Sequence, residues 1–277
     1  MNLWTWLLMG FLALCGFLYF VRLAARTGSG HVRSDLLSWP DAIFASLLAA
    51  LTLLLCLSMF QMISIVPSSE SGAPYFHIVQ KQPTAKVTID LLLMGMAQNF
   101  SIIFLIFGVL AIRRVNPLAA FGLLWPEWRK GLAIAGTAWL AILPIVFLLQ
   151  LVMGEVFGKD AAQETVLFFK DNPDILSRGA LVFLAVVVAP LAEEIIFRGY
   201  IYGVMRRYGG KWVGMVLSSL IFALAHFHVP SIPGLFALAV ALVLVYEKTG
   251  SLWATMAMHS AFNSLSILGL IFFPDLT

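Results

Sequence analysis

The 277-residue chain is 61% hydrophobic and only 11% charged, with a mean hydropathy of +0.95. A soluble domain is roughly half apolar, so this composition excludes a soluble core-and-shell fold and points to an integral membrane protein with the lipid bilayer as its solvent. The net charge of +3 collects at the ends of apolar runs, which is a topology signal rather than a nucleic-acid surface, and no nucleic-acid partner is expected.

A helix needs roughly 20 apolar residues to cross a hydrocarbon core of about 30 Å. Eight segments qualify in chain order: 3–21, 43–66, 89–112, 131–153, 180–205, 212–228, 231–247 and 252–273. The expected fold is all-α, a polytopic integral membrane bundle of about eight transmembrane helices. The first segment lacks a basic leader, its first arginine being Arg22, and reads as a retained span rather than a signal peptide. Cys15 and Cys56 fall inside apolar runs and read as packing residues, not a disulfide.

The polar stretches 67–87 and 154–178 read as surface connections, the second with a short amphipathic helix at QETVLFF, 163–169. In LLWPEWRKG, Trp125 and Trp128 beside Arg129 and Lys130 have the composition of an interfacial anchor. Lysine and arginine concentrate after the first, third, fifth and seventh segments, which places both termini outside. The bacterial look of the chain suggests the cell (plasma) membrane. Residues 1–177 carry no chemical motif; the candidate chemistry lies in 178–277.

APLAEEIIFRGYIYG, 189–203, puts Glu193, Glu194 and Arg198 inside an apolar segment. An intramembrane charge costs a few kcal/mol even on insertion scales, so it marks a functional site by default. Glu194 precedes Arg198 by four residues, the favoured spacing for an intrahelical ion pair. Glu193 points about 100° away and has no such partner. A paired carboxylate stays ionised, whereas an unpaired one in apolar surroundings is the better general base. Glu193 is therefore the candidate for chemistry, with Glu194 and Arg198 in structural or electrostatic support. A purely structural salt bridge explains the pair and leaves Glu193 unaccounted for.

Gly209 and Gly210 in RRYGGKW read as a tight turn between antiparallel helices. Glu193 and His226 are equally far from that turn and should sit at similar height. A lone histidine in an apolar helix is more often a packing residue, but one level with an unpaired glutamate gains a functional role. Phe222, one turn before it, supports it; His228 is a weaker candidate. The last segment brings His259 and Asn263 onto one face. Their side chains can donate hydrogen bonds to a developing oxyanion; in isolation, interhelical bonding explains them as well. A base, a water-orienting histidine and two oxyanion donors are the roles that amide hydrolysis requires.

The same residues resemble a known family. EEIIFRG fits EExxxR at Glu193, Glu194 and Arg198; FALAH fits FxxxH at Phe222 and His226; HSAFN fits HxxxN at His259 and Asn263. In this order they resemble the CPBP intramembrane proteases, which take in CAAX prenyl proteases and Abi-like bacteriocin-processing or immunity proteins. Over residues 178 to 270, the resemblance implies an all-helical peptidase acting on a membrane-associated protein or peptide. It implies that Glu193 activates water, His226 assists, and His259 with Asn263 stabilises the oxyanion.

Members of the family are often labelled metalloproteases, and Glu193, His226 and His259 could supply three zinc ligands with water in the fourth position. No HExxH pair accompanies them, so the preferred expectation is glutamate-dependent hydrolysis with no required cofactor. Two other classes compete. A proton- or ion-coupled transporter also uses buried Glu, His and Arg, but predicts internal repeats with matching broken helices. A catalytically silent relative that binds a partner would have no need of all four site residues.

Overall fold

A computed structural model describes residues 32–61, 63–67, 76–80, 89–124, 127–157 and 175–272. The expected span 3–21, the helix at 163–169 and Trp125 lie outside the described residues. Almost all the rest is helical: α1 (Trp39–Gln61), α2 (Ile89–Ile112), the single turn α3 (Pro117–Ala120) and α4 (Trp128–Phe157). A helical hairpin follows, Ile175–Leu224, whose arms are α5 (175–209) and α6 (211–224), and then α7 (Ile232–Thr249) and α8 (Leu252–Phe272). Among the described residues, four continuous helical segments are long and apolar enough to cross a membrane: α4, the hairpin, Val229–Thr249 and α8. The chain is a helical membrane bundle.

The second expected segment, 43–66, is corrected at its end. Helix α1 stops at Gln61, and Ile63–Pro67 forms β1, paired antiparallel with β2 (Phe76–Gln80), with Ile65 opposite Ile78. Isoleucine and valine in ISIVP and FHIVQ favour extended backbone, a local preference that an apolar count does not register. The connection 67–87 therefore contains a strand.

The turn expected at Gly209–Gly210 is present. Gly210 has φ 80° and ψ 172°, a combination essentially reserved for glycine. Beyond it the chain doubles back: a Cβ built on Gly214 would lie 2.8 Å from the backbone nitrogen of Arg206. Farther along, the rings of Phe197 and Phe222 meet edge to face at 5.2 Å.

Two features depart from regular helix. Arm α5 passes through π-helical turns at Leu184–Val188 and Glu194–Tyr202, separated by the α-helical turn Ala189–Glu193. Helix α6 ends at Leu224, and Phe227 adopts φ 51°, so His226 sits just past the helix instead of inside a span running to 228. The prolines at 230 and 233 disfavour helix before them, which the length of the apolar run concealed.

The core lies where α5, α6 and α7 meet α1, α2 and α8, around the fully buried Phe121, Tyr200, Tyr202, Tyr246 and Phe222. Helix α4 packs on α7 through Ala135, Ala138 and Ala141 against Ala241, Leu242 and Val245. Small residues let membrane helices approach closely. These contacts enclose α5.

Candidate active site

Glu194 is fully buried and Arg198 is 1% exposed; Arg198 Nη1 donates to Glu194 Oε1 at 2.9 Å. The guanidinium lies 4.1 Å over the ring of Phe222, a cation–π contact that accounts for the motif phenylalanine. Phe222 also stacks against His226 at 4.8 Å and meets His259 edge-on at 5.8 Å. One aromatic ring thereby spaces the three polar groups around it.

His259 links α8 to both carboxylates of α5. Its Nδ1 lies 2.9 Å from Glu194 Oε1, and its Nε2 lies 3.8 Å from Glu193 Oε2. Because Glu194 Oε1 already accepts from Arg198, it is ionised and can only accept; Nδ1 carries the hydrogen. In the neutral ring Nε2 is then a lone pair facing Glu193. Glu193 Oε2 is buried and has no hydrogen-bond partner among the described residues, although the side chain as a whole is 18% exposed.

His226 places Nδ1 2.8 Å from the carbonyl oxygen of Phe222. A carbonyl only accepts, so Nδ1 is the N–H and Nε2 of the neutral ring is free to accept. Asn263 Nδ2 donates to the carbonyl of Ala185 at 2.7 Å, inside the first π turn, and its second amide hydrogen is not used by that bond. His228 pairs instead with Ser231 Oγ at 2.7 Å. The structure thus gathers Glu193, Glu194, Arg198, Phe222 and His259 in one contact network, which His226 joins through the Phe222 ring and carbonyl. Asn263, one turn beyond His259, reaches the backbone of α5.

Among the described residues no three His, Cys, Asp or Glu side chains are gathered to hold a metal ion. Nδ1 of each histidine is held by a protein oxygen, which leaves Nε2 as the nitrogen open to a ligand.

Two buried acids escape the sequence argument. Asp41 accepts from the backbone of Ser38 at 2.7 Å, from Arg113, and from the Tyr200 hydroxyl at 3.2 Å. Glu247 accepts from Tyr202 at 2.6 Å and from Arg206 Nε at 2.5 Å. Both tie α5 and its neighbours together near the basic helix ends. Their signal in sequence was an acid at a span end, with Lys248 beside Glu247 alone, which resembles ordinary interfacial charge.

Residues 176–265 match a family model described as "Type II CAAX prenyl endopeptidase Rce1-like", a range that holds every site residue above. An uncharacterised 24.3 kDa protein of Escherichia coli is 26% identical over 141 residues, which cover 48% of this chain and 64% of that protein. The match thus spans less than two thirds of that relative's length. No solved structure matches.

Proposed function

Since residues 176–265 match an Rce1-like family model and lie in a helical membrane bundle, we propose that the chain is an intramembrane endopeptidase of the CAAX-protease type. It hydrolyses a peptide bond of a membrane-associated protein or peptide. The observation that carries this reading is the unpartnered Glu193 carboxylate, aimed at His259 across 3.8 Å while Glu194 and Arg198 hold that ring from behind.

A water beside Glu193 Oε2 can donate one of its two hydrogens to that otherwise unpartnered carboxylate oxygen. Glu193 takes its proton as the water oxygen attacks the scissile carbonyl carbon, and the carbonyl π pair moves to oxygen. His226 Nε2 accepts from the same water and fixes its lone pair toward the carbonyl. The free amide hydrogen of Asn263 donates to the oxyanion. His259 donates through Nε2 only when the ring is doubly protonated, because Nδ1–H is committed to Glu194; the added charge then lies between two carboxylates. Collapse of the tetrahedral species breaks the C–N bond, and Glu193 returns its proton to the departing amine.

The route needs no metal ligand. The domain sits in a bacterial cell membrane, with both termini outside, and Glu193 opens toward the cytoplasmic half. It lies thirteen residues, roughly 20 Å at helical rise, from Arg206 at the basic end of its helix.

The test is cleavage of a membrane-embedded peptide library by the purified chain. Glu193→Gln should lower the rate by about 10²–10⁴-fold, the usual worth of a general base, with unchanged thermal stability, while strong chelation leaves wild type active. Residual activity of Glu193→Gln near wild type sinks the assignment. Loss under chelation would replace the carboxylate by a metal-bound water.

A further inference from the structure

The turn joining α5 to α6 carries cations that the proposed chemistry does not use. Glu247, 2% exposed at the end of α7, is contacted by Arg206 at 2.5 Å and by Lys211 Nζ at 3.7 Å. Arg207 is exposed beside Arg206. One buried carboxylate thus holds together more positive charge than it neutralises. Such a surplus is strongly favoured where an anion can join it, and at a low-dielectric boundary it is screened less than in open water.

Aromatic rings frame these cations. Trp39, Trp212 and Tyr208 are 70%, 65% and 44% exposed. Trp39 stacks on Tyr208 with centroids 4.7 Å apart, and Lys211 Nζ lies 5.2 Å from the centroid of Trp212. Trp128 and Trp253 are also exposed at this end of the bundle, where the Leu123 carbonyl accepts from Trp253 Nε1 at 2.9 Å. Exposed tryptophan and tyrosine mark the headgroup level of a bilayer. The anion abundant at that depth is a phospholipid phosphate.

We propose that the α5–α6 turn is a binding site for an anionic phospholipid headgroup. Arg207 and Lys211 hold the phosphate, Glu247 fixes Lys211 and Arg206 in place, and Trp212 and Tyr208 flank the glycerol and upper acyl region. The lipid of the surrounding leaflet is the occupant, since the flanking rings add nothing for a soluble phosphate.

The full chain would be placed in nanodiscs of phosphatidylcholine, with and without phosphatidylglycerol, and lipid retention followed by native mass spectrometry alongside thermal unfolding. Wild type should retain phosphatidylglycerol selectively and unfold at higher temperature in its presence. Arg207→Gln and Lys211→Gln should each weaken retention roughly five-fold, as expected for one cation at an anionic surface. Arg129→Gln/Lys130→Gln, at the same end but away from Glu247, should leave retention unchanged. Equal loss in the Arg129/Lys130 variant would mean diffuse surface charge and overturn the site. So would no preference for phosphatidylglycerol, or an equal gain from inorganic phosphate in phosphatidylcholine discs. None of these readouts depends on peptidase activity.

Discussion

Replacing Arg198 by Met tests whether the buried pair is a support or a spectator. Methionine keeps an unbranched apolar stem of similar length to the arginine's, so the variant removes charge more than packing. Glu194, fully buried, would then have no guanidinium beside it and would keep only neutral donors such as His259. Breaking a buried pair by removing one partner costs about 3–5 kcal/mol, because the remaining charge stays desolvated. Loss of the guanidinium from its position 4.1 Å over Phe222 accounts for about 0.5–2 kcal/mol of that cost. The double variant Glu194→Gln/Arg198→Met removes both charges and keeps an amide oxygen to accept from His259 Nδ1. It should recover at least about 2 kcal/mol relative to the single variant, a coupling in the range seen for contacting residues. The assay is reversible unfolding in mixed micelles with increasing sodium dodecyl sulfate. A single variant within about 1 kcal/mol of wild type, or a double variant no better than the single, would refute the reasoning.

Two further outcomes follow from the geometry. Gly214→Ala should destabilise by about 1–3 kcal/mol, because its Cβ would meet the backbone of Arg206 at 2.8 Å and backbone cannot yield as a side chain can; Gly108→Ala, with nothing within 4 Å, is the control and should be neutral or slightly stabilising by the same unfolding assay. Asn263→Ala should lower cleavage about 100-fold through the lost oxyanion donor and cost about 1 kcal/mol through the lost bond to Ala185. Asn263→Asp, which can only accept, should be no more active; a variant aspartate as active as wild type would remove Asn263 from the oxyanion.

The long apolar helices were legible because a membrane span must satisfy its own backbone, which makes length and hydropathy sufficient signals. The run 89–112 coincides with α2 for that reason. The ion pair at Glu194 and Arg198 followed from spacing, and the turn at Gly210 from composition. What could not be read depends on backbone choices that hydropathy does not encode. The strand at Ile63–Pro67 interrupts an apolar run, the left-handed Phe227 ends α6 early, and Asp41 and Glu247 are buried by tertiary contacts with residues distant in sequence. Nothing in spacing or composition marks Tyr200 and Tyr202, yet each hydroxyl reaches one of those buried acids.

The role of His259 shows where helix periodicity falls short. Adjacent carboxylates diverge on a helix, and no one residue of the same helix can serve both equally. A facing helix can do so if it offers two polar atoms on opposite sides of one rigid ring, and imidazole is the side chain that does. His259 presents Nδ1 to Glu194 and Nε2 toward Glu193. The two carboxylates stand at the junction between a short α-helical turn and a π-helical one, and π segments recur at functional sites because they re-aim side chains at the expense of regular bonding. The other π turn is braced by Asn263, whose amide bonds the carbonyl of Ala185 within Leu184–Val188. One face of α8 therefore does two things at once. It braces the irregular backbone that carries Glu193, and it places the donors that the proposed hydrolysis uses, so motifs that look separate in sequence are coupled through the geometry of a single helix.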